Sequence, residues 1–258
     1  MIQSNNSLRC YTMGYSDLPR EVFLYFIQKE KIDTFVDVRT TPYSSYQPDY
    51  NKKALEQFLA SHEIEYLYYG DRLGGHYTDP DLVFEDGSVN YDDVRKRPLF
   101  QKGIDDLIDL IKQNRTVCLM CVEKKPQQCH RFILISRELQ ERGVKVIHMV
   151  PCLELISNRE LEEELLSEMF DPAQRDLFNE PNRNLDELYS KLGRSGTFRA
   201  NSPQKRNLSN AKMELINSSV SHSNSEKDGF DSSDQKTISL VTKRGEKDIA
   251  DDMQERLF

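Results

Sequence analysis

Between residues 117 and 131 the chain reads VCLMCVEKKPQQCHR, and six of those positions could do chemistry: Cys118, Cys121, Glu123, Cys129, His130 and Arg131. Three chemistries have to be weighed. A zinc site would draw on the cysteines and the histidine. Cys118 and Cys121, however, lie three apart in a run that reads as a strand, so alternation sends them to opposite faces, whereas chelating pairs usually sit on a turn. The sequence therefore predicts no metal here. A phosphatase- or rhodanese-type loop needs an arginine shortly after its cysteine, and after Cys121 those positions hold Pro126 and Gln127. In the third reading Pro126 or Gln127 opens a helix, with Cys129, His130 and Arg131 in its first turn, where unpaired amides and the dipole favour an anion. Cys129 is then either a nucleophile of lowered pKa or a small core residue, since it falls near the Phe132, Ile135 and Leu139 stripe. His130 is an acid/base candidate or a packing residue. Glu123 is the best-placed general base, with a solvated loop acid as its plain alternative.

Anion chemistry has a second source. In TFVDVR, Asp37 and Arg39 share one face of a strand, and Arg72 and Arg131 come from separate loops. Guanidinium suits bidentate phosphate or carboxylate recognition, so Arg39, Arg72 and Arg131 read as a convergent anion-binding set. The plain alternative for Arg39 is a structural pair with Asp37.

These residues need elements to hold them. Short β-rich runs at 8–13, 34–39, 64–69, 116–121 and 144–149 alternate with helical periods in PREVFLYFIQKEK, NKKALEQFLASH, PLFQKGIDDLIDLIKQN and HRFILISRELQERG. That alternation predicts an α/β fold: a doubly wound, mostly parallel five-stranded sheet with helices on both faces, Rossmann-like, spanning residues 1–155. In such a sheet ligands bind beyond the carboxyl ends of the strands. Ser16, Asp37, Arg39, Gly74, Gly75, Cys121 and Glu123 all fall there. Residues 70–97 read as a long lid or binding loop.

The chain has 258 residues, a mean hydropathy of -0.69 and a net charge of -8. Residues 1–150 carry 20 Lys and Arg against 22 Asp and Glu, leaving 15 against 21 for the rest. The near-neutral first part argues against broad nonspecific duplex binding. Residues 156–199 read as a helical extension and 200–258 as a polar, disordered tail. No segment reaches membrane-span length and the start lacks a signal-peptide centre, so the sequence predicts a cytoplasmic protein without a membrane partner. Five cysteines without framework spacing are expected to be free thiols.

The same residues carry a resemblance. YTMGYS, a strand ending DVR-x-x-P-x-S, N-x-x-x-L before a helix, R-L-G-G, LMC-x-E-x-x-P-x-x-CHR and a strand ending in His148 together resemble the domain-of-unknown-function 488 family over residues 8–150. The resemblance implies a compact α/β domain with Asp37, Arg39, Pro42, Ser44, Asn51, Leu73, Gly74, Gly75, Cys121, Glu123, Pro126, Cys129, His130 and Arg131 clustered at one edge. The chain has Tyr15 and Gln127 where many members carry a histidine and an aromatic. No reaction or cofactor comes with the resemblance.

Two Q-x-x-L-F segments, Gln174 with Leu177 and Phe178, and Gln254 with Leu257 and Phe258, are similar to the peptide by which bacterial DNA-processing proteins dock on the sliding clamp. Taken together, the expectation is an enzyme that binds a phosphate-bearing nucleotide or nucleic acid at the sheet edge. Arg39, Arg72 and Arg131 would hold the anion, with Glu123, His130 and Cys129 as catalytic candidates. The rival is a non-catalytic binding module that uses the same edge and is tethered to a partner such as the clamp.

Overall fold

The computed structural model describes residues 8–150, 154–169 and 181–195. The chain divides into two units, Met1–Asn201 and Ser202–Phe258, and every described residue lies in the first. The Q-x-x-L-F segments and the polar tail lie outside the described residues. No helix among the described residues is long and apolar enough to cross a membrane.

Five strands occupy the expected positions: β1 (Arg9–Gly14), β2 (Thr34–Asp37), β3 (Glu65–Tyr68), β4 (Val117–Cys121) and β5 (Lys145–Met149). All five run parallel, in the order β3-β2-β4-β1-β5. β2 and β4 are buried along their whole length, as central strands covered on both faces must be. A sixth strand, β6 (Leu155–Ser157), adds antiparallel to β5 at one edge. Three residues are too few to show alternation, which is why the sequence did not reveal it.

Helices cover both faces. α1 (Arg20–Lys29) and α2 (Lys52–Ala60) pack Phe23, Ile27, Leu55 and Leu59 against Met13, Phe35, Cys118 and Met120. The long segment expected to be a loop contains α3 (Gly70–Leu73) and α4 (Tyr91–Arg95) and leads into α5 (Pro98–Lys112). α5 sets Ile104, Leu107 and Ile111 on the opposite face, in the core that holds Val36, Leu119 and Cys121. Cys118 and Cys121 do face opposite sides. α7 (Asn158–Met169) and α8 (Pro181–Ser195) contribute Leu161 and Tyr189 to the second core.

The helix after β4 departs from expectation. Pro126–Gln128 forms one 3-10 turn, Cys129 is extended at φ -125° and ψ 142°, and a π-helical turn, Arg131–Ser136, precedes α6 (Arg137–Glu141). Cys129 therefore stands before the helix and not in its first turn. The wide register is closed by the Ser136 hydroxyl, which donates to the Arg131 carbonyl at 2.6 Å. Gly143 ends the segment at φ +81°, a conformation glycine adopts without strain.

Candidate functional site

The carboxyl ends of β1, β2 and β4 lie side by side, and their following loops build one edge. Gly14 ends β1 where the β4 loop crosses it; a Cβ there would stand 1.8 Å from the Glu123 carbonyl oxygen. Only glycine admits that crossing. The loop is bonded down by Tyr15 N–H donating to Cys121 O at 3.2 Å and Ser16 N–H donating to Val122 O at 2.9 Å. Ser16 thus serves through its backbone.

The loop carries Glu123 back over the sheet, and the 3-10 turn returns Cys129 and His130 to the end of β4. Both thiols meet one carboxyl oxygen: Glu123 Oε2 is 2.9 Å from Cys121 Sγ and 3.0 Å from Cys129 Sγ. His130 Nδ1 lies 3.8 Å from each sulfur. On the far side of the ring, Nε2 meets the Val38 carbonyl at 3.0 Å. A carbonyl only accepts, so Nε2 carries the proton and, in the neutral ring, Nδ1 turns a lone pair toward the sulfurs. Gly75 packs against that ring: a Cβ there would fall 2.4 Å from His130 Cγ. Gly75 of R-L-G-G therefore has a structural duty, to let the imidazole lie against the chain, while Gly74 admits the close approach of the Gly70 carbonyl and Thr40.

Proximity in a dry site shifts every group. Burial raises the carboxyl of Glu123, the neighbouring Cys129 adds to it, and it reaches about 7. Burial alone would raise Cys129, but the Cys121 thiol, the Arg131 charge and His130 outweigh it and hold Cys129 well below the usual thiol range. Cys121 moves the other way, raised by burial and by the negative charge of Cys129 and Glu123. Burial opposes charging of His130, yet Cys129 beside it raises its pKa overall. Cys121, Cys129 and His130 are at most 2% exposed, while Glu123 is only partly buried.

The three arginines do not assemble as the sequence suggests. Arg39 is 2% exposed and forked onto Asp37, with Nε to Oδ1 at 2.9 Å and NH2 to Oδ2 at 2.6 Å; NH1 donates to the Tyr15 hydroxyl at 3.0 Å. Tyr66 donates to the same carboxylate at 2.8 Å. The fork has no side left for a phosphate. Arg131 is fully buried; its NH1 donates to Glu123 O at 2.5 Å and its NH2 to Lys124 O at 3.4 Å, so it holds the β4 loop in place. Arg72 stacks its guanidinium 3.7 Å from the Tyr69 ring centre and reaches Asp71 and Asp106. An open cradle of Arg39, Arg72 and Arg131 is thus replaced by three scaffold arginines. Asn51 also supports, accepting the Ser44 N–H at 2.6 Å and so fixing the loop after β2.

Other groups occupy the rim. Tyr43 and Tyr46 are 62% and 82% exposed on the loop after β2, and Lys124 and Lys125 are exposed on the loop after β4. The reading from sequence passed over them because an exposed tyrosine or lysine carries no spacing signal. A cleft of about 530 Å³ opens beside the 3-10 turn, lined by Lys125, Pro126 and Gln127 and by Leu155, Ile156 and Leu161; none of the four clustered donors lines it.

A family model matches residues 20–137, and its description is Domain of unknown function DUF488. No curated protein and no solved structure matches the chain.

Proposed function

We propose that this chain, which through residues 20–137 belongs to the DUF488 family, is an enzyme working on a phosphate-bearing nucleotide or nucleic acid at the carboxyl edge of its sheet. The observation that carries the reading is a pair of thiols that share one oxygen of Glu123 and also meet one ring nitrogen of His130. Charged and nucleophilic groups packed together without water cost stability, and active sites are where that cost is commonly retained. Glu123, half-exposed, is the group that meets substrate and moves a proton. His130 and Cys129 set its electrostatics from behind.

The substrate class is supported by the rim. Tyr43 and Tyr46 offer rings on which a base can stack, and Lys124 and Lys125 offer ammonium groups to phosphate. With Arg39 and Arg131 committed to the scaffold, these replace the arginine cradle. The four described cysteines are free thiols, which supports a reducing compartment, and we place the protein in the cytoplasm. The burial of Cys121, Cys129 and His130 favours a second reading, a binding module that recognises the same ligands by its rim without turnover.

Incubation with a panel of nucleotides and short single-stranded oligonucleotides, read by mass spectrometry, separates the two. Turnover lost in Glu123→Gln at unchanged melting temperature supports the enzyme. Ligand-induced thermal shifts without product support the binding module. A Glu123→Gln variant as active as the parent would end the catalytic assignment.

A further inference from the structure

Cys118 and Cys121 point to opposite faces of the sheet, as strand alternation predicts. The fold, however, brings a different set together. Cys121 Sγ, Cys129 Sγ and a ring nitrogen of His130 all lie within 4.8 Å of one another, and Glu123 Oε2 touches both sulfurs. We propose that Cys121, Cys129 and His130 bind one zinc ion, with Glu123 at the fourth position.

The distances fit. Zinc bonds of about 2.3 Å to sulfur and 2.0–2.1 Å to nitrogen, at tetrahedral angles, require a sulfur-to-nitrogen edge of about 3.6 Å. The two edges here are both 3.8 Å. The two sulfur-to-oxygen edges, 2.9 and 3.0 Å, open to about 3.6 Å with a small rotation of a half-exposed glutamate. A second observation points the same way. Ligating histidines usually donate their other ring N–H to a carbonyl or carboxylate, which fixes the tautomer, and His130 Nε2 sits 3.0 Å from the Val38 carbonyl. Gly75 holds the ring in that orientation. Two thiolates and an imidazole in tetrahedral array select zinc over harder ions.

Cys129 and His130 follow Cys121 by eight and nine residues, on the other side of the Pro126 turn, so no short Cys-x-x-Cys signature announces the set. Glu123 is the replaceable ligand. A zinc ion held there would supply an acidified water if the Glu123 carboxylate gave up its position, and Glu123 would be the nearest base to take the proton. Nucleobase deaminases use the same side-chain types, two thiolates and an imidazole on zinc beside a glutamate that shuttles the proton.

The site is shared with the enzyme reading, and the two are tested apart. The full chain, without a histidine tag, is purified under reducing conditions from zinc-supplemented cells, and its metal content is measured. About one zinc per chain is expected, falling below about a tenth of that in Cys121→Ser and Cys129→Ser. Cys118→Ser, on the other face of the same strand, should keep the metal. Should the ligand variants fail to fold, cobalt titration of the metal-stripped parent decides: intense thiolate-to-cobalt absorption supports the site. A parent that binds neither ion, or zinc retained in Cys129→Ser, or a Cys121–Cys129 disulfide in its place, overturns it. Zinc without turnover sinks the enzyme reading alone; turnover without zinc sinks this one alone.

Discussion

His148 should make the domain acid-labile by an amount that follows from its surroundings. The ring is fully buried at the end of β5, with Nδ1 2.8 Å from the Thr12 hydroxyl and Nε2 3.0 Å from Asn158 Oδ1. Asn158 spends its amide donors on Gln140, Glu162 and Tyr189, so its oxygen must accept from Nε2 and Thr12 must donate to Nδ1. The neutral ring is satisfied as it stands, whereas charging it would force the Thr12 hydroxyl to turn from donor to acceptor and would leave a cation in a fully buried site. Burial lowers the pKa from 6.5 to about 3, the Arg131 charge adding to burial against the Asn158 hydrogen bond. A depressed histidine binds protons in the unfolded chain first, so stability falls as pH drops from 6.5 toward 3. With pKa values of 6.5 unfolded and about 3 folded, linkage gives a penalty of about 0.2 kcal/mol at pH 7 and about 2 kcal/mol at pH 5. Other groups titrate in that window, and the difference between parent and His148→Gln removes them. Urea unfolding at pH 7 and pH 5 should show the parent losing about 2 kcal/mol more than the variant over that interval. Equal losses in the two proteins would refute the reasoning.

Two further outcomes can be stated. Asp37→Ala strands the buried Arg39 guanidinium, and the loss of one partner of such a pair should cost about 3–5 kcal/mol in urea unfolding while leaving the affinity for any rim-bound nucleotide within about twofold; a large affinity loss at intact stability would restore Arg39 as a ligand-binding residue. A pull-down with sliding clamp should retain the full chain and lose it when Leu257 and Phe258 are both alanine, since each large apolar side chain is worth roughly 1.5–3 kcal/mol when buried, with Gln174, Leu177 and Phe178 supplying a residual; equal retention, or no binding by the parent, ends that idea.

The strands were legible because central parallel strands are rich in apolar residues: VCLMC is an unbroken apolar run, and TFVD holds Phe35 and Val36 between a buried threonine and a buried aspartate. The edge that gathers the site followed from topology alone. What failed was finer. A helical wheel takes a regular turn through Cys129, but that residue is extended and Arg131–Ser136 take π register, a choice held by Ser136 closing on Arg131. No periodicity in CHRFILIS distinguishes the two registers. Asp37 and Arg39 do pair, although β2 ends at Asp37 and Arg39 lies just beyond it; the sequence could not show Tyr15, in the turn after β1, and Tyr66, in β3, closing over the pair. Those are nonlocal contacts, and they convert an apparent ligand arginine into a buried one.

That conversion bears on how the edge works. Arg39 and Arg131 spend donors on a carboxylate, a phenol and two carbonyls supplied by the chain itself, while the buried Nε of Arg131 has no hydrogen-bond partner. Their partners are the loops that shape the site: Arg131 fixes the Glu123 and Lys124 carbonyls, and Arg39 fixes Tyr15 at the turn after β1. Removing Arg131 would therefore let the Glu123 loop move, and any activity would fall without an anion ever having touched the arginine. On the proposed function a ligand would approach from the exposed residues instead, where Lys124, Lys125, Tyr43 and Tyr46 present charge and ring surface to solvent. Exposed charges are screened over roughly 8–10 Å at physiological ionic strength, so affinity that resides in Lys124 and Lys125 must weaken steeply with added salt, whereas affinity that resides in buried arginines would not. The salt slope of nucleotide binding is therefore the measurement that separates the two arrangements, and a salt-independent affinity would return the anion to the interior.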